Sequence, residues 1–345
     1  MKDLIKKLSN LHAVSGFEHR INSEIKDMLS PFCDEVRIDA LGNVIGVKYC
    51  GKKNAKKLLL EAHIDEIGLM VKNIDENGFI TFTNVGGVDS RILPSMEVII
   101  HAQRDIKGVI GAKPPHIMSD GEEEKAVKIK DMSIDTGLTA EDVKNLVSVG
   151  DSVTFCTEAK ELAQGQLTGK SLDDRASTAA VIEVMKNICD KEFCVDVYAV
   201  LATQEEVGGF GSIGASFSVV PDLAVAIDVC HGITPDNSYD AYETGCGAVI
   251  TCGPNIHPEI FEMLIDTAKE NNIKYQVDVE GGNTGTDAWQ IQVVREGIPT
   301  GLLSIPLKYM HTLVETIDVS DAEAVAQLLT AFVCGVSGRE EWLCF

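Results

Sequence analysis

The sequence is short of basic residues. It has 30 lysines and arginines against 53 aspartates and glutamates, which gives a formal net charge of −23 over 345 residues. A surface with this excess of negative charge repels nucleic acid and anionic lipid headgroups. We therefore expect neither nucleic acid nor a membrane as a partner.

Paired cysteines and long apolar runs are also missing. The ten cysteines are scattered and form no Cys-x-x-Cys pair, so a structural zinc finger is not expected. No apolar stretch approaches the ~18 residues that suggest a transmembrane helix. The given sequence opens directly into the charged segment Met1–Leu8, so we expect no signal peptide. These features predict a protein of the reducing cytoplasm with free thiols.

Apolar runs that end in acidic or imidazole side chains are the most informative feature present. The four runs are Lys57–Asp65 (KLLLEAHID), Val195–Glu206 (VDVYAVLATQEE), Asp222–Asp228 (DLAVAID) and Thr300–His311 (TGLLSIPLKYMH). In an open α/β sheet, functional groups gather at the carboxyl ends of the strands. A buried strand that ends in two acids is costly unless a cation lies beside them. The four endings therefore predict a metal site.

The periodicity of apolar residues divides the chain into two kinds of segment. Residues 1–68 and 164–345 alternate helical patterns with buried apolar strands, which is typical of an α/β domain. Residues 69–163 instead contain short β-like runs separated by Gly, Pro, Asp and Asn, such as Phe79–Val85 and Met96–Ala102. We predict an α/β domain built from two chain segments, with a β-rich domain inserted between them.

Each strand-end residue also has an ordinary structural interpretation. His63 and Asp65 lie two residues apart on a strand and share one face. This pattern fits a metal ligand with an acid that orients it, but also a core histidine bonded to an acid. Asp228 fits either a ligand or a solvated strand end, and His311 either a ligand or a buried histidine.

The same choice applies to the remaining acids. Asp173 opens a predicted helix, where it fits either an N-cap or a carboxylate that bridges two metals. Glu205 and Glu206 fit a solvated loop, or a pair in which one acid is a ligand and the other a general base.

A glycine motif between Gly209 and Gly214 matches the Gly-x-Gly-x-x-Gly pattern of dinucleotide-binding proteins. Glu205 and Glu206 stand between the preceding strand and these glycines. Their charges would repel the pyrophosphate that such a turn must attract. We therefore do not expect a nicotinamide cofactor.

Taken together, the motifs resemble the tetrahedral, or TET-type, aminopeptidases, which include glutamyl and deblocking aminopeptidases. The motifs follow one another as His63-Ile64-Asp65, Ser171-Leu172-Asp173-Asp174-Arg175, Gln204-Glu205-Glu206-Val207-Gly208, Ala226-Ile227-Asp228-Val229 and Tyr309-Met310-His311. Each motif alone is weak, whereas all of them in this order are highly specific. The resemblance extends from Val14 to the last predicted helix.

This resemblance implies a centre with two divalent ions. The implied ligands are His63, Asp173 and Asp228 for one ion, and Asp173, Glu206 and His311 for the other. Glu205 would be the general base, and Asp65 would orient His63. The mixture of imidazole and carboxylate ligands suits zinc, with cobalt or manganese as alternatives.

The resemblance also implies a fold and an assembly. The catalytic domain would be a phosphorylase/hydrolase-like three-layer αβα domain, and the inserted segment would be a dimerisation domain. Dimers would assemble into a hollow tetrahedral dodecamer. Copies with a net charge of −23 repel one another, so an oligomer needs specific apolar surface. We expect this surface around Ile80–Val85 and Met96–Ile100.

The expected function is that of a cytoplasmic metallo-aminopeptidase that removes amino-terminal residues from peptides. A water bridged by two metals would attack the peptide, with a glutamate as the base. The nearest alternative is a related dinuclear-metal deacylase or carboxypeptidase. A glycosidase that pairs Glu205 with a second acid and a non-catalytic assembly protein are the more distant alternatives.

Overall fold

A computed structural model describes residues 1–118 and 126–336. The predicted domain ranges also include residues 119–125 and 337–345, which lie outside the described part. Within the described residues, an 11-stranded mixed sheet carries helices on its faces, and six further strands close into a barrel.

The element bounds follow the chain in order. The helices are α1 (Lys2–Ser9), α2 (Asn22–Leu29), α3 (Ala140–Leu146), α4 (Leu172–Asn187), α5 (Phe210–Val219), α6 (Pro258–Glu270), α7 (Asp287–Ile291) and α8 (Val319–Gly335). The strands are β1 (Glu35–Ile38), β2 (Val44–Lys48), β3 (Lys57–His63), β4 (Gly68–Ile74), β5 (Ile80–Val85), β6 (Glu97–His101), β7 (Asp105–Ile110), β8 (Ile134–Asp135), β9 (Ser152–Phe155), β10 (Lys160–Glu161), β11 (Gln166–Gly169), β12 (Asp196–Ala202), β13 (Leu223–His231), β14 (Ala248–Cys252), β15 (Tyr275–Val279), β16 (Thr300–Lys308) and β17 (Glu315–Asp318). None of the described helices has the length and apolar character needed to span a membrane.

The large sheet has a parallel centre. Its order is β1-β2-β12-β3-β13-β16-β17-β11-β10, with β14 and β15 attached beside β16. Strands β12, β3, β13 and β16 run parallel, and the register pairs Ala202 with His63 and Asp228 with Ser304. The carboxyl ends of the first three runs named above therefore meet at one edge of the sheet.

Apolar side chains of β3 pack on both faces of this sheet. Leu58 and Leu60 belong to a core that includes residues of α4 and α8. Leu59 belongs to a second core on the other face, with Ala215 of α5 and Ile291 of α7. This alternation, typical of a strand covered on both sides, confirms the expected three-layer α/β architecture.

The barrel has its own apolar core. Its strands follow the order β4-β5-β8-β7-β6-β9, and Ile80, Phe82, Val98 and Ile100 are all buried inside it. The expectation that these runs offer apolar surface for self-association is therefore wrong. They alternate as strand residues do, so their apolar members face inward.

Candidate metal centre

Five elements bring the predicted ligands together. His63 ends β3 and Asp173 lies in the first turn of α4. Glu206 follows the end of β12, Asp228 lies in β13, and His311 lies in the turn between β16 and β17. All of them except His311 are buried or nearly so, so their charges lie in a poorly solvated region.

Asp173 lies between the two histidines. Its Oδ1 is 3.2 Å from Nε2 of His63, and its Oδ2 is 3.4 Å from Nε2 of His311. One carboxylate therefore presents one oxygen to each imidazole, which is the arrangement needed to bridge two cations. The same His311 nitrogen lies 3.4 Å from Oε2 of Glu206.

Two groups of ligand atoms are compact enough to hold a cation. Atoms of His63, Asp173 and Glu206 lie within 4.8 Å of one another, and so do atoms of His63, Asp174 and Asp228. The second group contains Asp174 in the place expected for Asp173. Because Asp174 also accepts a hydrogen bond from the His63 backbone N–H at 3.2 Å, it holds the end of β3 in place.

The electrostatics of the cluster favour bound cations. Burial and the nearby Asp228 and Asp287 raise the pKa of Glu205 to about 9. Burial and Asp173 likewise raise the pKa of Asp228 to about 7. Crowded acids of this kind hold protons unless positive charge neutralises them. The donor set of two imidazoles and several carboxylates fits divalent ions.

The imidazoles are held by the same acids. Burial opposes protonation of His63, but its bonds to Asp173 and Asp65 raise its pKa well above the ordinary value. Burial would raise the pKa of Asp173, yet its bonds to His311 and His63 lower it below the ordinary range. Asp173 therefore keeps its negative charge more readily than Glu205, Glu206 or Asp228.

Asp65 connects the histidine to the pair of glutamates. Its Oδ1 is 3.4 Å from Nδ1 of His63. Its two oxygens accept the backbone N–H groups of Glu205 and Glu206, each at 3.1 Å. The side chain of Glu205 comes within 4.0 Å of His63. Asp65 therefore lies beside the imidazole and fixes the turn that carries both glutamates.

Glu315 is a buried residue of the site that the sequence interpretation missed. Its Oε2 accepts the backbone N–H of Asp173 at 3.1 Å, and its Oε1 accepts that of His311 at 3.0 Å. Burial and the neighbouring Asp173 raise its pKa well above the ordinary value. The one signal in the sequence is an acid at the start of the short strand β17.

A buried ion pair lies next to the site. The Lys170 ammonium is 2.7 Å from Oε2 of Glu66, which also accepts a hydrogen bond from the Ser171 hydroxyl. Burial opposes ionisation of Glu66, but Lys170 and Arg175 lower its pKa to about 2. Lys170 precedes Asp173 by three residues, so the ion pair anchors the start of α4.

The turn that carries His311 touches the segment between β5 and β6. A Cβ on Gly87 would lie 2.6 Å from Nδ1 of His311, so only glycine fits there. His311 itself has a φ of +59°. Residues next to the barrel thus shape one wall of the site.

The glycine motif serves packing. A Cβ on Gly209 would lie 2.5 Å from Oδ1 of Asp287, and one on Gly211 would lie 2.2 Å from the carbonyl oxygen of Thr203. Close approach of α5 to its neighbours therefore accounts for these two glycines without a nucleotide.

An open cavity of about 820 Å³ extends from the cluster. Asp173, Glu205, Glu206, Asp228 and His311 all line it. Strands β16 and β15 supply further lining residues, among them Ser304 and Asp278. A carboxylate–imidazole cluster at the carboxyl edge of a three-layer sheet, open to a cavity of this size, defines the class of metal-dependent hydrolases.

Comparison with known families assigns the chain to one family within the class of metal-dependent hydrolases. The model of the family described as M42 glutamyl aminopeptidase matches residues 42–328. The chain belongs to this family, which confirms the resemblance to TET-type aminopeptidases and makes the protein a peptide hydrolase of the aminopeptidase kind.

Individual relatives can be aligned with this chain over nearly its whole length. The lysyl aminopeptidase of Pyrococcus furiosus is 33% identical over 337 residues, 96% of this chain and 96% of its own. The structure of aminopeptidase APDkam598 from Desulfurococcus kamchatkensis is 34% identical with a TM-score of 0.91, covering 99% of this chain and 96% of that one. The Pyrococcus horikoshii TET1 peptidase, which can assemble into a tetrahedron or a large octahedral shell, is 30% identical with a TM-score of 0.85, covering 97% and 99%.

Proposed function

We propose that this protein removes amino-terminal residues from peptides at a centre of two divalent ions bridged by Asp173. The single observation that carries the proposal is the placement of the two Asp173 oxygens, 3.2 Å from His63 and 3.4 Å from His311. The remaining ligands are Asp228 beside His63 and Glu206 beside His311.

The chemistry is divided between the ions and the residues of the chain. When bound, a pair of divalent ions supplies an activated water near neutral pH and neutralises charge that develops on the peptide carbonyl. Glu205 lies beside the cluster and is free of the ligand role, so it takes the proton of the water and passes it to the departing amine. Asp65 keeps the His63 ring in the orientation that a ligand requires.

We further propose zinc as the native metal, with cobalt or manganese as substitutes. Two imidazoles in the ligand set favour zinc or cobalt over magnesium. The family description names a glutamyl activity and the P. furiosus relative a lysyl activity. These names differ, so the preferred amino-terminal residue of this chain must be sought in its own cavity.

The proposed working form is a closed assembly in the cytoplasm, made of dimers joined through residues 69–163. Support comes from exposed apolar side chains on or beside the barrel strands, namely Phe79, Val109 and Val149. A separate exposed apolar row on α5, formed by Phe210, Ile213 and Phe217, offers the second surface that a larger shell needs.

The function is tested with a chelator. Hydrolysis of aminoacyl anilides and of short peptides should vanish after dialysis against a strong chelator and return when zinc, cobalt or manganese is added. Peptides with an acetylated amino terminus should be resistant throughout. Full activity after exhaustive chelation, with metal analysis showing less than one ion per chain, would contradict the proposal.

The assembly is tested by light scattering on the purified protein at micromolar concentration and moderate salt. A mass of a dimer or a multiple of dimers is expected. Val149→Glu should lower the mass because it places a charge in the proposed apolar contact, whereas Glu323→Gln on the exposed face of α8 should not. A monomeric mass for the unmodified protein would contradict the shell.

A further inference from the structure

The cavity next to the metal centre has a second group of acids that the hydrolytic chemistry does not use. Asp240, Asp278 and Glu280 line it together with the four acids of the metal centre. We call these three residues the acidic wall. Asp240 is exposed, and the other two are half-buried.

The two groups of acids differ in what neutralises them. Two divalent ions carry four positive charges, which offset the four acids of the metal centre that line the cavity, Asp173, Glu205, Glu206 and Asp228. No Lys or Arg is among the described residues that line the cavity. The negative charge of the acidic wall therefore remains available to attract a cationic group of a molecule that enters the cavity.

Asp278 is held at a fixed place in this wall. Its two oxygens accept hydrogen bonds from the Tyr242 hydroxyl at 2.5 Å and from the Thr251 hydroxyl at 3.0 Å. Both donors are uncharged, so they orient the carboxylate without cancelling its charge. Tyr242 also lines the cavity, and its ring suits the aliphatic stem and the charge of a long cationic side chain.

We propose that the acidic wall makes this aminopeptidase selective for peptides whose amino-terminal residue is lysine or arginine. Peptides that begin with glutamate or aspartate should be poor substrates. The inference rests on the proposed function, because that function places the substrate in this cavity. Opposite charges a few ångströms apart attract each other even near solvent, and the strongly acidic chain also attracts basic peptides to the opening.

The test compares kcat/KM of the metal-loaded protein on lysyl, arginyl, leucyl and glutamyl anilides. The lysyl and arginyl substrates should exceed the glutamyl one by about 100-fold or more, which is about 2.7 kcal/mol. Raising the salt concentration from about 0.05 M to 0.5 M should shrink the ratio, because exposed charges are screened. Free lysine should inhibit more strongly than free glutamate.

Substitutions then assign the effect to the wall. The double variant Asp278→Asn with Glu280→Gln should lower the lysyl-to-glutamyl ratio at least about tenfold, and Asp278→Asn alone should lower it by less. The control Glu262→Gln, on the exposed side of α6, should leave the ratio unchanged. Ratios within one protein preparation are insensitive to partial misfolding.

The outcomes separate the two proposals. If no anilide is hydrolysed with any added divalent metal, the proposed function fails. If anilides are hydrolysed and the glutamyl substrate equals or exceeds the lysyl one, the proposed function stands and the inference about the acidic wall is overturned. A ratio unchanged in the double variant also overturns it.

Discussion

The carboxylate of Glu315 accepts the backbone N–H of Asp173 at 3.1 Å and also that of His311 at 3.0 Å. One buried side chain thus fixes the spacing between the proposed bridging ligand and the second histidine. Asp65 has the same relation to Glu205 and Glu206. The proposed ligands are held through their backbones by acids that need not touch a metal.

Glu315→Gln should weaken metal binding by about 10–100-fold, as loss of a group that supports a ligand typically does. The amide turns an N–H towards one of the two backbone N–H groups, so one hydrogen bond is lost. Metal titration followed by calorimetry would show one of two sites weakened more than the other. The exposed Glu323→Gln serves as the control, and two unchanged affinities would contradict the role.

Glu205→Gln and Glu206→Gln should differ in kind. The first should keep both ions and lose about 10²–10⁴-fold in kcat, because a general base moves protons without holding metal. The second should lose metal at the site that His311 shares. Elemental analysis of the purified variants distinguishes them, and loss of metal from Glu205→Gln would make Glu205 a ligand.

Asp65→Asn should be milder than removal of a ligand. The carboxylate accepts two backbone N–H groups and is proposed to orient His63, so the amide should cost about 10–100-fold in metal affinity or activity. The pKa of Asp65 is lowered: burial opposes this, but hydrogen bonding to His63 outweighs it. A variant as metal-free as His63→Ala would show instead that Asp65 binds metal directly.

Glu66→Gln should destabilise the fold by about 3–5 kcal/mol, because it leaves the buried Lys170 ammonium without its partner. Glu66→Leu combined with Lys170→Met should cost much less than the sum of the single changes. Denaturant unfolding at equal metal and protein concentrations measures this. Lys186→Met, in an exposed ion pair with Glu183, is the control at below about 1 kcal/mol. Additive effects would contradict the account.

Acid should destabilise the fold through His12, whose Nδ1 lies 2.9 Å from the hydroxyl oxygen of Thr154. Burial and the nearby Lys170 lower the pKa of His12 from 6.5 to about 4, so the folded state keeps it neutral while the unfolded state is protonated. Stability is therefore lost as the pH falls from 6.5 towards 4, by about 2 kcal/mol for this group.

Comparing melting curves of the unmodified protein and His12→Gln isolates the contribution of His12 to the loss of stability in acid. The variant should lose less stability between pH 7 and pH 4.5, whereas His19→Gln, at an exposed position, should behave like the unmodified protein. Parallel losses in all three proteins would show that His12 is protonated in the folded state.

The sequence could predict that most of the proposed ligands lie close together, because they stand at the ends of predicted strands. His63 and Glu206 each follow an apolar run whose length matches a buried strand, and parallel strands bring such ends to one edge. Asp173 needed the resemblance to a family, because an acid at the start of a helix is more often an N-cap. The layered sheet followed from the same runs.

The supporting residues were not predictable in the same way. Glu315 reaches Asp173 across 142 positions and Glu66 reaches Lys170 across 104, and no local pattern records such pairings. In the barrel, the sequence interpretation placed buried apolar residues on the surface. Apolar residues such as Phe82 and Val98 indicate strands correctly, but their burial depends on barrel closure, which periodicity alone does not reveal.

The most direct test of the central claim is anomalous diffraction from crystals of the zinc-loaded protein, with data collected on both sides of the zinc absorption edge. The account predicts two peaks per chain, ~3.5–4 Å apart, with one Asp173 oxygen bound to each, His63 on one ion and His311 on the other. A single peak, or two peaks that leave Asp173 bound to only one of them, would contradict the bridging role.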